Sequence, residues 1–131
     1  MGRSATANFF FVMLLMATII TGCTANQEFD RRGWNDGDGI DFPRRNLMVD
    51  DLLKKYNFKG WKYRNVRGLL HEPDRFSNDS TNFHYEIIRK MDGIDTVRTK
   101  NLVFWWNKKD STITDYKVTE KEYPKKDRKK K

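Results

Sequence analysis

The 131-residue chain contains one cysteine, Cys23, and two histidines, His71 and His84. A single cysteine excludes an internal disulfide framework and any zinc or redox motif built on a cysteine pair. The sequence also lacks a Gly-rich phosphate loop, a Ser-His-Asp arrangement and a His-Glu-His spacing. It therefore predicts a protein that is not an enzyme and that holds no cofactor and no metal.

Two acidic clusters are the strongest candidates in the sequence for a catalytic or metal-binding site. Residues 36–41 (DGDGID) resemble part of a calcium loop. Neither register with Gly at position 6 places oxygen ligands at the required positions, so turn formation accounts for them. Glu72 and Asp74 flank Pro73 and suggest acid–base work, but a loop that ends a helix explains them better.

The N-terminal region contains the longest apolar run of the chain. Residues 9–20 (FFFVMLLMATII) are too few to span a bilayer, which needs about 20 residues, but they fit the apolar region of a signal peptide. The following Ile20-Thr21-Gly22-Cys23 resembles the lipobox of bacterial lipoproteins. This resemblance implies cleavage between Gly22 and Cys23 and attachment of palmitate-type acyl chains to Cys23, which hold the protein on a membrane. An ordinary secretory signal, or a buried first helix, with an incidental cysteine is the alternative.

The location expected for such a lipoprotein is the bacterial cell envelope. Thr24 follows the cysteine where an Asp commonly retains lipoproteins in the inner membrane, so the outer membrane is favoured. We predict four segments: a signal peptide (1–22), a lipidated cysteine with a flexible tether (23–45), a small domain (46–118) and a basic tail (119–131).

The basic tail carries much of the net charge of +8. Six of the last seven residues (KKDRKKK) are cationic, and they are candidates for binding anionic surfaces: Lys125, Lys126, Arg128, Lys129, Lys130 and Lys131. A solvated tail that only aids solubility is the alternative. Export from the cytoplasm excludes nucleic acid as a partner.

Apolar periodicity predicts the fold of residues 46–118. Residues 46–56 carry apolar side chains at helical spacing, and a second helical stretch covers 61–70, before Pro73. The period then changes to two, and strands are expected at 83–88, 101–106 and 112–118. The predicted class is α+β: two N-terminal helices packed on a three-stranded antiparallel meander (α-α-β-β-β) in two layers.

One stretch resembles a known family. Residues 60–66 (GWKYRNV) and 69–74 (LLHEPD) are similar to the signature of the SmpA/OmlA (BamE-like) envelope lipoproteins, which share the fold of β-lactamase inhibitory proteins. The resemblance extends from Met48 to Val118. Lys62 and Asn65 replace the capping residues of that signature, and His71 replaces the Gly that ends its helix.

Trp105 and Trp106 are the candidate partner-binding residues. Successive side chains of a strand point to opposite faces, so the two indoles cannot share a face, and one of them could be a binding anchor. The family resemblance implies a non-enzymatic envelope lipoprotein that binds a protein partner in outer-membrane assembly or maintenance. The alternative is a lipid-anchored inhibitor of a hydrolase or a host protein.

Overall fold

A computed structural model of the protein describes residues 26–125. Its elements are α1 (Arg31–Trp34), α2 (Arg45–Lys55), α3 (Tyr63–Leu70), β1 (Arg75–Phe76), β2 (Asn82–Asp92), β3 (Asp95–Asn107) and β4 (Thr112–Glu122). The strands form one antiparallel sheet in the order β1-β2-β3-β4. Each strand therefore pairs with its neighbours in the chain.

The core lies between the helices and one face of this sheet. Phe83 of β2 and Phe104 of β3 are directly opposite each other, and their rings stack with centroids 5.2 Å apart. Fully buried helical side chains cover them: Met48, Leu52, Val66 and Leu70. Burying a side chain of this size contributes about 1.5–3 kcal/mol, so this layer holds the helices on the sheet.

Helix α3 begins and ends without the usual capping residues. Lys62 precedes it and makes no side-chain cap; its Nζ donates instead to Asp110 O and Thr112 Oγ1, at 2.8 and 2.9 Å. His71 ends the helix with φ 68° and ψ −169°, a conformation that residues other than Gly adopt only at a cost. Lys62 and His71, which differ from the resembled signature, therefore leave α3 without a side-chain cap at its start and with a strained residue at its end.

The predicted class of two helices on a three-stranded meander is wrong. Within residues 26–125 the structure has three helices and a four-stranded antiparallel sheet. The two additional elements are α1, of four residues, and β1, of two. Neither is long enough to show an apolar repeat in the sequence.

The segment predicted as a tether, 23–45, is packed where the structure describes it. Trp34 is fully buried in the core. The Gln27 backbone N–H donates to Leu47 O at 2.8 Å, and that of Phe29 donates to Asp51 Oδ2 at 2.6 Å. These contacts extend the packed unit on the N-terminal side of residue 46, and β4 extends it past 118, to Glu122. The predicted signal peptide and Cys23 lie outside the described residues.

Candidate functional site

The face of the sheet opposite the helices, hereafter the open face, carries most of the exposed chemistry. Strand alternation places every second residue there, and the register aligns side chains across strands. One such row contains Arg75, His84, Val103 and Lys117. The packed helices lie on the other side, against Phe83 and Phe104.

Two adjoining clefts, of about 250 and 420 Å³, lie along the open face. They share five lining residues: Arg75, His84, Glu86, Arg89 and Asn101. The smaller cleft is closed on one side by the loop that contains Gly39 and Ile40, and the larger one extends to Lys121 and Tyr123.

The loop beside the smaller cleft is shaped by an aspartate. Asp38 Oδ1 accepts hydrogen bonds from the backbone N–H groups of Ile40 and Asp41, at 2.9 and 2.7 Å. These bonds, Asp41's first, hold the pKa of the Asp38 carboxyl below its usual value. Asp38 therefore stabilises the turn within the acidic cluster 36–41. Ile40 remains 79% exposed at the rim of the cleft.

Cations outnumber anions on the open face. Arg89 Nη2 lies 2.7 Å from Glu86 Oε2, which neutralises one pair. The Arg75 guanidinium makes neither a hydrogen bond nor an ion pair within residues 26–125. Its guanidinium is therefore available to a ligand.

His84 lies between these charges and is aligned with Arg75 across β1 and β2. Partial burial lowers its pKa, and the positive charge of Arg75 lowers it further. Its Nε2 is 2.6 Å from Asn82 Oδ1, an acceptor, so this nitrogen carries the proton. Nδ1 of a neutral imidazole then has a free lone pair and can accept a hydrogen bond.

The two candidate tryptophans occupy opposite faces, as strand alternation predicts. Trp106 packs on the core, with its ring 4.8 Å from that of Tyr63 and its Nε1 donating to Ser80 O at 2.9 Å. Trp105 lies half-buried on the open face, where Lys117 Nζ stands 5.8 Å from its ring centroid. Only Trp105 is placed to meet a partner at this face.

A buried arginine that sequence reasoning missed lies beneath the smaller cleft. Arg45 is 1% exposed, and its Nη1 donates to Asp74 Oδ2 at 2.5 Å and to Glu86 O at 3.0 Å. Its Nε donates to Trp34 O at 2.9 Å, and the guanidinium covers the Phe42 ring at 3.7 Å. No local pattern marks Arg45, because its partners come from distant segments.

The structure separates the two carboxylates that flank Pro73. Asp74 pairs with Arg45, and Glu72 lies 3.3 Å from Arg67. Each carboxylate is therefore paired with a different arginine, and the two carboxylates do not form a shared acid–base site.

Of the six tail cations predicted to bind anionic surfaces, only Lys125 is among the described residues. Its Nζ lies 3.6 Å from Asp92 Oδ2, so the last described residue lies near the β2–β3 turn. Gly22, Cys23, Lys126, Arg128, Lys129, Lys130 and Lys131 lie outside the described residues.

Within residues 26–125, no helix is long and apolar enough to cross a membrane. Comparison of the chain with protein-family models, with curated proteins and with solved structures finds no match.

Proposed function

We propose that the protein is a non-enzymatic lipoprotein of the bacterial envelope that binds a protein partner through its open face. Acyl chains on Cys23 anchor it, with the outer membrane favoured, and its role is in outer-membrane assembly or maintenance. The observation that carries the binding role is that no helix within residues 26–125 packs on this face of the sheet, which presents Trp105.

The packed N-terminal segment supports a position close to the membrane. Gln27 is bonded to Leu47 and so belongs to the domain. Gln27 is four positions after Cys23, with three residues between them, and four residue steps span roughly 14 Å at most. A domain held so closely favours partners that are themselves in or on the membrane.

Trp105 supplies the features of an interface anchor. Its indole is large and partly accessible, and Val103, only 4% exposed, shares its face. Tryptophan is enriched among the residues that dominate binding energy at protein interfaces. A partner that covered Trp105 would bury apolar area and would displace Lys117 from the ring.

The side-chain chemistry of the open face favours binding over catalysis. Glu86 is paired with Arg89, and the proton on His84 Nε2 is directed at Asn82. His84 Nδ1 remains free to take a proton, but an efficient catalytic base also needs a neighbouring group that orients or activates it. The acidic group on this face that is nearest to His84 is already neutralised by a cation.

The test is a pull-down of the tagged full-length lipoprotein from its own envelope in mild detergent. Cys23→Ala removes the anchor, and Trp105→Ala removes the proposed contact. Phe76→Ala serves as the matched control, because Phe76 is 43% exposed but lies on the helix-covered side. Barrel-assembly components should copurify with the wild type and with Phe76→Ala, and should be lost with Trp105→Ala and with Cys23→Ala.

Other outcomes have distinct meanings. A soluble hydrolase recovered with both the lipidated and the Cys23→Ala forms would replace this proposal with that of a lipid-anchored inhibitor. Recovery of no specific protein, or equal recovery with Trp105→Ala, would contradict binding through the open face.

A further inference from the structure

The polar side chains of the open face form three rows that cross the sheet. The register aligns Arg75, His84, Val103 and Lys117 in the first row, Glu86, Asn101 and Thr119 in the second, and Arg89, Thr99 and Lys121 in the third. The first row and the third row each have a cation at both ends. The middle row carries no cation.

The four cations are spread over an area too large for one small anion. Strands lie about 4.8 Å apart, so Arg75 and Lys117 are separated by about 14 Å and Arg89 and Lys121 by about 10 Å. Val103 and Thr99 are four residues apart on β3, which separates the two rows by roughly 13 Å. A single phosphate or carboxylate cannot meet all four, whereas an extended chain with several anionic groups can.

The middle of this area requires a ligand that also donates hydrogen bonds. Glu86 presents carboxylate oxygens, one of which is paired with Arg89, and Asn101 and Thr119 each present a donor as well as an acceptor oxygen. A phosphate polymer has no donors at neutral pH and cannot pair with these acceptor oxygens. Sugar hydroxyls both donate and accept, and they suit this central row.

The aromatic rings of the open face do not favour base stacking. Lys117 Nζ stands 5.8 Å from the Trp105 ring, and Lys121 Nζ stands 4.7 Å from the Tyr123 ring. Each ring thus already carries a cation over its face. Strands of nucleic acid bind most tightly where ring faces are free to stack on the bases.

We propose that the open face binds an acidic polysaccharide, whose carboxylates pair with the cations at the corners and whose hydroxyls meet the central row. This ligand class goes beyond the proposed protein partner, and most of its contacts lie on a different part of the face, with Lys117 at the border between the two. Arg75, Arg89 and Lys121 line the clefts, whereas Trp105 does not.

The test measures binding of the purified full-length chain, in detergent, to a galacturonate oligomer by titration calorimetry. The same oligomer with its carboxylates reduced to alcohols is the ligand control. Arg75→Gln with Lys121→Gln removes two corner cations. Lys54→Gln with Arg64→Gln is the matched control, since both residues are exposed on the helices and neither forms an ion pair within the described chain.

We expect the uronate to bind and the reduced oligomer to bind much more weakly. Loss of the two corner cations should weaken uronate binding about tenfold, since two exposed charge contacts together contribute about that factor. The helix-surface control should stay within about twofold of the wild type, and circular dichroism should show all variants folded.

Four results would overturn the proposal: no uronate binding, equal binding of the reduced oligomer, equal weakening by both double variants, or tighter binding of inorganic polyphosphate or single-stranded DNA. The measurement needs no protein partner. Its failure therefore leaves the proposed envelope function untouched, and a failed pull-down leaves the polysaccharide site untouched.

Discussion

Arg45 and Asp74 form an ion pair, at 2.5 Å, that joins helix α2 to the loop preceding β1. Arg45 is 1% exposed, so its charge is compensated inside the protein by Asp74 and by the carbonyls of Trp34 and Glu86. The pair therefore connects four parts of the chain beneath the smaller cleft.

Removing the carboxylate of Asp74 should be strongly destabilising. Asp74→Ala leaves a buried guanidinium without its anion, which costs about 3–5 kcal/mol of unfolding free energy. Asp36→Ala is the control, because Asp36 forms an exposed pair with Arg44 at 3.7 Å and should cost under about 1 kcal/mol. Urea unfolding measures both; similar losses would mean that Arg45 is not electrostatically dependent on Asp74.

The N-terminal segment should contribute to global stability through Trp34. Trp34→Ala should lower the unfolding free energy by about 3–5 kcal/mol, because it leaves a cavity beside Phe29 and Tyr85. Trp34→Phe should cost clearly less, because it keeps a ring and removes a buried Nε1–H that has no hydrogen-bond partner in the described chain. Ile40→Ala, at a position 79% exposed, should be nearly neutral. A small effect of Trp34→Ala in thermal unfolding would show that this segment detaches readily.

Replacement of His71 by glycine should stabilise the protein. The φ of 68° with ψ of −169° is accessible to Gly without strain. Glycine also gives the unfolded chain more conformational freedom, but relief of the backbone strain should outweigh that cost, so the free energy of unfolding should rise by about 1 kcal/mol. His71→Ala keeps the strain and serves as the comparison. Equal midpoints for the Gly and Ala variants in denaturant unfolding would argue against strain at this position.

Stability should decrease when the pH falls below about 6.5, the ordinary pKa of histidine. Burial and Arg75 lower the pKa of His84 in the folded state, so the unfolded chain binds a proton that the folded chain does not. The stabilisation is present above pH 6.5 and is lost progressively as the pH approaches the lowered pKa. Asp79, whose pKa hydrogen bonds from Ser77 and Thr81 lower to about 2, titrates well below this range.

His84→Gln should flatten the pH dependence of stability below about pH 6.5, because it removes the group whose pKa is lower in the folded chain than in the unfolded chain. Arg75→Gln should raise the pKa of the His84 imidazole, which NMR titration of its ring protons follows directly. An unchanged pKa in Arg75→Gln would show that burial alone causes the shift. Glu86 also faces this group from the same strand and remains in both variants.

The longer elements could be predicted from the sequence because their apolar spacing is regular. The helix predicted at 46–56 overlaps Arg45–Lys55, and the apolar run 101–106 lies within β3. The architecture was nevertheless wrong, since α1 and β1 form through contacts made elsewhere. Trp34 is buried by residues of α2 and β2, and β1 exists only as the pairing of Arg75 and Phe76 with β2.

The open-face site depends on register, which the sequence does not display. The bulge between Glu86 and Ile88 shifts the pairing by one residue and brings Arg89, instead of Ile88, to the face that carries His84. Arg45 was missed for a similar reason, because Trp34, Asp74 and Glu86 are not its sequence neighbours. Only the placement of Trp105 opposite Trp106 followed from alternation alone.

The hydrogen bond between Gln27 and Leu47 also determines how the open face would meet other molecules. This bond fixes Gln27 to the domain, so only three residues lie between the domain and Cys23. A chain lipidated there, as proposed, would meet its ligands by lateral diffusion along the membrane, within a layer about one domain deep. Confinement of this kind raises the effective concentration of membrane-bound ligands without any added contact. A weak intrinsic affinity at the open face would then suffice for high occupancy.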